Sequence, residues 1–239
     1  MRRRLAISSV GSFLGAAALA SWAPRAAAQG VTDNRILLGQ SAPFTGASAQ
    51  LGLQFNLGAQ LFLEQVNDQG GVNGRRIEIK RLDDGYEPER CVANTKQLLD
   101  EGVFALFGYV GTATSLAALP LATAAKTPLF APFTGAEALR DPFNRYAIHV
   151  RASYFDETAA IVRQVTAVGI KKIAVFYQND AYGKAGLEGV QRALKAQNLE
   201  PVAVGTVERN SNEVAAALKG ILASRPEAIV QIGAYKACA

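Results

Sequence analysis

The sequence has few of the side chains on which most enzyme active sites depend. Its 239 residues include one histidine and two cysteines, and no group of histidine, cysteine and aspartate residues has the spacing of a zinc site. It contains neither a G-x-S-x-G nucleophile motif nor a phosphate-binding P-loop. The single histidine, His149, lies in an apolar stretch, which favours a structural role. We therefore predict that the protein is not an enzyme and uses no metal and no cofactor.

The two cysteines do not form a redox or metal motif either. Cys91 and Cys238 lie far apart in the sequence, and a disulfide between them would have to bridge two different lobes. We expect Cys91 to pack as a small apolar side chain on a helix.

The first 28 residues have the composition of an export signal. Arg2 to Arg4 form a charged region, Leu5 to Ala20 an apolar region and Ala26 to Ala28 a small-residue cleavage site. The apolar run is shorter than the roughly 20 residues of a membrane-spanning helix, so we prefer a signal peptide to a membrane anchor. The arginines leave general and twin-arginine export open. Because Gln29 and not cysteine follows the cleavage site, we expect a periplasmic protein without a lipid anchor.

Charge argues against a nucleic-acid partner. Residues 1–28 hold four of the 25 Lys and Arg residues and none of the 20 Asp and Glu residues, which leaves 21 basic and 20 acidic residues and a net charge of +1. No later stretch combines basic and aromatic residues as a nucleic-acid surface does. We therefore expect no binding to DNA or RNA.

Strand-like apolar segments alternate with helix-like segments along the rest of the chain. This alternation is typical of a parallel sheet with helices on both faces. Turn residues at Asp141 to Asn144 interrupt the pattern, which then starts again. We predict an α/β fold of two Rossmann-like lobes, residues 29–150 and 151–239. We expect the second lobe to be incomplete, because the sequence stops soon after the apolar strand Ala228 to Ile232.

Two small-residue turns follow neighbouring strands of the first lobe, at Gly108 to Thr112 and at Pro132 to Gly135. In an open α/β sheet the loops at the carboxyl ends of the strands line the ligand crevice. Thr112 is predicted to cap a helix whose free amides and dipole could hold a carboxylate, although a plain cap without a ligand is the alternative. The predicted ligand-binding residues of this lobe are Tyr109, Thr112, Ala113, Phe133 and Thr134.

Tyr182 is the candidate of the second lobe. It follows an apolar strand, Ile173 to Tyr177, in a turn, where its ring could cover an apolar ligand group and its hydroxyl could donate a hydrogen bond. The alternative is a tyrosine that only packs the loop. We interpret the acidic pair Asp83-Asp84 as a structural turn and not as a catalytic or metal-binding pair.

Taken in order, these segments resemble a known family, the exported substrate-binding proteins of ABC importers, of the branched-chain amino acid and amide type. The resemblance covers essentially all of the chain after the leader. Singly its motifs are weak, but their order and spacing are specific. The motifs are Ile36 to Gly39 with Pro43 to Gly46, Gly70 to Arg75, Asp83-Asp84, Gly108 to Thr112, Ala131 to Gly135 and Asn179 to Gly183.

The resemblance implies two lobes that close on a small-molecule ligand and then dock, as a monomer, on an ABC permease in the inner membrane. It also implies that Thr112 and the turn Phe133 to Gly135 hold a carboxylate and an ammonium, and that Tyr182 covers the ligand. That turn differs from the small-residue turn of many amino-acid binders, which leaves an amide, a small organic acid or an aromatic carboxylate open beside an amino acid. A ligand-sensing module of the same fold, acting on a receptor or regulator, is the alternative function.

Overall fold

The computed structural model describes residues 29–239, and the predicted signal peptide, residues 1–28, lies outside them. Strands and helices alternate along the described chain and form two parallel sheets. Within this range no helix is both long enough and apolar enough to cross a membrane. The first lobe is built on the five-stranded sheet and the second lobe on the three-stranded sheet.

All neighbouring strands of the first sheet run parallel, in the order β2-β1-β3-β4-β5. Strand β2 lies at the edge of the sheet and pairs with β1 from Arg35↔Arg76 to Ala42↔Asp83. The strands are β1 (Arg35–Ala42), β2 (Arg76–Asp83), β3 (Ala105–Phe107), β4 (Leu129–Phe130) and β5 (Ala147–Ile148).

Helices lie on both sides of this sheet, and alternate strand residues point to opposite sides. Leu37 and Leu106 face a core formed with Cys91, Leu98 and Ala118 of two helices, whereas Ile36 and Leu38 line an apolar cavity between the other face and the remaining helix. Cys91 is fully buried, as predicted. The helices are α1 (Ala49–Asp68), α2 (Pro88–Asp100) and α3 (Thr112–Ala124), and a short 3-10 helix spans Glu137–Leu139.

The buried face of α1 differs from the expectation. The apolar periodicity predicts a buried stripe that includes Phe62, but 65% of Phe62 is exposed, and the helix buries Asn56 and Asn67 instead. The Asn56 amide donates to the Gln40 side chain at 2.7 Å, and the Asn67 side chain accepts from the backbone amide of Ile77 at 2.7 Å. Phe62 nevertheless lines an apolar cavity together with Ile36 and Leu38 of β1, and the two asparagine side chains tie the helix to the sheet.

The second sheet has the order β7-β6-β8, again with parallel neighbours. Its central strand alternates in the same way: Ile173 and Val175 pack in one core cluster, and Ala174 and Phe176 pack in another on the opposite face. The elements are α4 (Tyr154–Ala167), β6 (Ile173–Gln178), α5 (Ala181–Lys195), β7 (Val204–Val207), α6 (Ala215–Ala223), β8 (Ala228–Ile232) and α7 (Tyr235–Cys238).

Two helices begin earlier than the sequence pattern predicts. We expect α3 to start near Ser115 and α5 near Lys184, but they start at Thr112 and Ala181. Both starts follow directly on the carboxyl end of a strand or its turn. The residues predicted to lie in loops at the cleft, Thr112 and Tyr182, therefore belong to the first turns of helices.

Candidate functional site

A cavity of about 340 Å³ lies between the two lobes, at the carboxyl ends of both sheets. This is the edge at which open α/β sheets bind ligands. Its wall combines apolar side chains, several tyrosines and one ion pair. The lining residues include Leu51, Tyr86, Val110, Gly111 and Phe133 of the first lobe, and Arg151, Tyr154, Glu157, Thr158, Ile161, Tyr182, Val230, Gln231, Ile232 and Tyr235.

The hydroxyls of Thr112 and Thr134 contact each other and do not line the cavity. Their Oγ1 atoms lie 2.6 Å apart, and both residues are buried. The structure thus joins the two predicted turns, but it places their hydroxyls behind the cavity wall. The prediction that Thr112 caps the helix is wrong, because the N-cap is Gly111 and Thr112 is the first helical residue.

Gly111 lines the cavity in their place. Its φ of 104° lies in the left-handed region, which glycine adopts without strain. A Cβ at this position would lie 2.6 Å from the ring of Tyr86. The glycine therefore lets the turn and the tyrosine ring share one wall of the cavity.

Tyr109 and Ala113 lie away from the cavity. Tyr109 is fully buried in the core of the first lobe, where its hydroxyl lies 3.1 Å from the hydroxyl of Thr95. Burial raises the pKa of Tyr109 well above its usual value. Ala113 is half-buried on α3. Chain adjacency to the turn did not bring either side chain to the site, because successive residues after a strand point in different directions.

Phe133 is a cavity residue, as predicted. Its backbone is bridged to Val110, and its ring lies 5.4 Å from the ring of Phe55, leaving 38% of the side chain exposed toward the cleft. The guanidinium of Arg151 lies 5.3 Å from the centre of the same ring. Phe133 thus presents one apolar face to the space between the lobes.

Tyr182 also lines the cavity, from the opposite lobe. Asp180 caps α5 by accepting from the backbone amides of Tyr182 and Gly183, which fixes the start of the helix. The Tyr182 ring packs 5.4 Å from the ring of Tyr154. Burial raises the pKa of Tyr182, so the hydroxyl stays protonated and can donate a hydrogen bond.

Sequence reasoning missed the only described ion pair in the cavity wall. Arg151 donates to Glu157 through its Nε atom at 3.1 Å and also through Nη2. A capping box between Ser153 and Asp156 starts α4 and places Glu157 in its first turn. The S-x-x-D spacing of this box is visible in the sequence and could have located the helix start. This spacing does not indicate that the side chain of the neighbouring Arg151 points into a cleft.

The acidic pair at the end of β2 is held in a structural turn. Asp83 accepts from the Thr45 hydroxyl at 2.6 Å, from the Phe44 amide at 2.8 Å and from Arg90 at 2.8 Å. Burial acts to raise the pKa of Asp83, but the hydrogen bonds outweigh it and lower the pKa to about 2.

The pKa of Asp84 is shifted in the opposite direction to that of Asp83. It is fully buried, and burial raises its pKa to about 6, although it accepts from the Ser41 hydroxyl at 2.7 Å and the Tyr86 amide at 2.8 Å. Because Tyr86 lines the cavity, this carboxyl supports the cavity wall from behind.

Polar contacts also join the lobes beside the cavity. Arg209 of the second lobe donates to Glu87 at 2.8 Å, and Asn210 donates to Glu87 at 2.7 Å and to the Gly85 carbonyl at 3.1 Å. The Tyr235 hydroxyl donates to the carbonyl of Ala47 at 3.0 Å. These bonds hold the two lobes together around the cavity.

The arrangement is suited to holding a molecule. Within residues 29–239 no three His, Cys, Asp or Glu side chains come together as a metal site would require. His149 lies outside the cavity wall, and its Nε2 atom is 3.0 Å from the Leu139 carbonyl. The wall can enclose an apolar group and can donate hydrogen bonds from tyrosine hydroxyls, the arginine and the glycine turn.

Comparison with known proteins agrees with this architecture. The sequence model of the periplasmic binding protein family matches residues 35–239. The chain is 25% identical over 198 residues to an amino acid binding protein of Pseudomonas aeruginosa, covering 81% of this chain and 52% of that protein. It is 25% identical over 206 residues to the Leu/Ile/Val-binding protein homolog 3 of Brucella melitensis biotype 1, covering 84% of this chain and 55% of the relative. The chain thus spans about half the length of the curated relatives it matches.

A solved structure shows the same likeness in three dimensions. The structure of a "possible leucine/isoleucine/valine-binding protein" from Rhodopirellula baltica SH 1 superposes with a TM-score of 0.82 at 35% identity, covering 86% of this chain and 57% of that one. These family members are substrate-binding proteins and not enzymes. The resemblance stated from the sequence and the two-lobed α/β fold are confirmed. The chain belongs to the periplasmic binding protein family and has its type 1 fold, in which it is similar to Leu/Ile/Val-binding proteins.

Proposed function

We propose that this chain captures a small solute in the cavity between its lobes and delivers it to an ABC permease of the inner membrane. The observation that carries the proposal is the composition of the cavity wall. Gly111 and Phe133 come from the first lobe, Tyr154 and Tyr182 from elements of the second. A ligand held by both walls stabilises the closed arrangement, because it makes contacts that separated lobes cannot provide.

The proposed ligand is amino-acid-like, an amide or a small carboxylate. A helix leaves its first backbone amides unpaired, and its dipole favours negative charge at that end. In α3 these amides follow directly on Gly111, and within residues 29–239 no side chain caps them and no acidic residue occupies the first turn. This supports a hydrogen-bond-accepting group of the ligand at the first lobe, beside the apolar face of Phe133.

The proposed function also assigns a role to each part of the chain. We assign residues 1–28 to export into the periplasm, residues 29–150 to the first lobe and residues 151–239 to the second. The family supports a periplasmic location and an ABC partner. Closure around the solute would then present both lobes together to the permease.

A matched pair of phenylalanine variants tests the binding role. Phe133 lines the cavity, whereas Phe143 lies outside it and is 86% exposed. Affinities for a panel of amino acids, amides and small carboxylates are measured by titration calorimetry. We expect Phe133→Ala to lower the affinity for the tightest-binding ligand of the panel about tenfold, since a buried aromatic contact contributes about 1.5 kcal/mol. Phe143→Ala should leave the affinity unchanged. Equal affinities of both variants and the parent chain would exclude this cavity as the binding site.

A further inference from the structure

The cation in the cavity wall has a defined position. Arg151 lies between the lobes, with its guanidinium 5.3 Å from the ring centre of Phe133 and 5.4 Å from that of Tyr154. Its backbone carbonyl accepts from Arg140 at 2.9 Å, which fixes the segment that carries it. The two rings hold the guanidinium by stacking and by cation–π attraction. The cavity therefore contains a positive group whose place does not depend on a ligand.

The ion pair with Glu157 leaves part of this guanidinium free. Both hydrogen bonds, from Nε and from Nη2, go to the same carboxylate oxygen of Glu157. No hydrogen bond joins Nη1 to any residue in the described part of the chain. An arginine offers five N–H donors in a planar fork that matches a carboxylate with two parallel bonds. The edge formed by Nη1 and Nη2 is thus available to a second carboxylate.

The surroundings of the pair complete a site for a carboxylate with an apolar body. Leu51, Val110 and Ile161 line the cavity with aliphatic side chains. Tyr182 adds a neutral hydroxyl donor from the opposite lobe, and burial moves its pKa further above neutrality. The Arg151 side chain is 29% exposed, so a ligand entering the cleft can reach the guanidinium before the cavity is fully enclosed.

We propose that Arg151 binds the ligand carboxylate through its free Nη1–Nη2 edge and that the neighbouring negative charge of Glu157 opposes this binding. This inference deepens the proposed function and rests on it, since it names the chemical class of the solute as a carboxylate with an apolar or aromatic body. Glu157 keeps the guanidinium paired in the empty cavity. An incoming carboxylate binds the free Nη1–Nη2 edge with two parallel hydrogen bonds beside Glu157. A neutral amide lacks the negative charge that makes this bond to the guanidinium favourable.

Matched ligand pairs and opposing variants test the proposal on the full chain. Dissociation constants are measured by titration calorimetry for phenylacetate and phenylacetamide and for leucine and leucinamide. Within each pair, one ligand carries a carboxylate where the other carries a neutral amide. We expect the parent chain to prefer at least one carboxylate over its amide by about tenfold or more. Arg151→Gln should abolish this preference, and Arg151→Lys should restore part of it, because lysine keeps the charge but not the fork.

Glu157→Gln should act in the opposite direction. Removal of the Glu157 charge is expected to raise the preference for the carboxylate over its matched amide about two- to fivefold, in keeping with a partly exposed ion pair. If Arg151 has only a structural role, Arg151→Gln should weaken the binding of acids and amides alike, and that result would overturn the inference. So would preferred binding of the amides, or a lower preference for the carboxylate in Glu157→Gln.

The outcomes separate this inference from the function on which it rests. If a folded chain, judged by cooperative thermal unfolding, binds none of the four probes nor any member of the wider panel, the solute-binding proposal fails and the inference fails with it. If amides bind as well as acids, or if Arg151→Gln keeps the preference for the acid, the binding function stands and only the assignment of Arg151 is overturned.

Discussion

The Nη2 atom of Arg209 lies 2.8 Å from a carboxylate oxygen of Glu87, and the two residues belong to different lobes. Asn210 donates to the other oxygen of the same carboxylate at 2.7 Å. Glu87 is the N-cap residue of α2, whereas Arg209 follows β7 of the second sheet. One side chain at the start of a helix thus receives two of the hydrogen bonds between the lobes, and Glu87 acts as a latch between them.

Removal of this latch should weaken ligand binding without destroying the fold. We expect Glu87→Gln to lower ligand affinity about two- to fivefold, since ion pairs with this degree of exposure contribute at most about 1 kcal/mol. The lobes should separate more readily in the ligand-free chain. Calorimetry gives the affinity, and solution scattering gives the radius of gyration with and without ligand.

An ion pair inside one lobe provides the control. Lys80 donates to Glu101 at 2.6 Å, and both residues belong to the first lobe. Glu101→Gln removes a comparable charge but no bond between the lobes, so the ligand affinity and the radius of gyration should stay at the parent values. Equal effects of the two variants would show that Glu87 does not act through closure.

The buried hydroxyl pair predicts a stability effect. Thr134 Oγ1 meets Thr112 Oγ1 at 2.6 Å and accepts from the Ala136 amide at 3.2 Å. Thr134→Val should lower the free energy of unfolding by about 1 to 3 kcal/mol, because it leaves buried polar groups without partners. Thr112→Val should cost less, since Thr134 keeps the Ala136 amide. Urea denaturation followed by circular dichroism measures both.

The double variant distinguishes a coupled pair from two independent residues. If the hydroxyls depend on each other, Thr112→Val with Thr134→Val costs less than the sum of the single variants. Additive losses would mean that the two threonines stabilise the fold independently. Because neither hydroxyl reaches the cavity wall, ligand affinity should change by less than about threefold in Thr112→Val.

Asp84 predicts how stability depends on pH. Its pKa is raised from 3.8 to about 6 in the folded chain, so the folded state holds the proton more tightly than the unfolded state. The stabilisation is fully present below about pH 3.8 and is lost as the pH rises through about 6. By this linkage Asp84 contributes a loss of about 2 to 3 kcal/mol between pH 4 and pH 7.

Asp84→Asn should remove that loss. The difference in unfolding free energy between Asp84→Asn and the parent chain is expected to move in favour of the variant as the pH rises from 4 to 7. Asp83 serves as the contrast, because its pKa is lowered to about 2. Asp83 stabilises the fold above pH 3.8 and loses that effect as the pH falls toward 2. A constant difference between Asp84→Asn and the parent across this range would contradict a buried, ionising Asp84.

The order of strands and helices was predictable from the sequence, because it depends on local apolar patterns. The strand Ala228–Ile232 has the predicted bounds, and Cys91 is buried on α2 as predicted. The pattern failed for Phe62 of α1, which is largely exposed. Phe62 lines an apolar cavity with Ile36 and Leu38, and a hydrophobic periodicity gives the direction of a side chain but not how completely other elements cover it.

The site was predictable only as far as the turns that carry it. Chain position after a strand located Phe133 and Tyr182, which line the cavity. The direction of a side chain within a turn depends on backbone angles, such as the φ of 104° at Gly111, and the sequence pattern does not give these. Arg151 and Glu157 were missed because their meeting depends on how two lobes pack, which is a long-range property of the fold.

The central claim, that the cavity between the lobes holds a small solute, is tested most directly by native mass spectrometry of the chain mixed with the ligand panel. Ile161 lines the cavity and is 43% exposed, and Leu222 lies on α6 away from it and is 56% exposed. We predict one bound molecule on the parent chain and on Leu222→Trp, and none on Ile161→Trp, in which the indole fills the cavity. Retained binding by Ile161→Trp, or no bound molecule on the parent chain, would contradict the account.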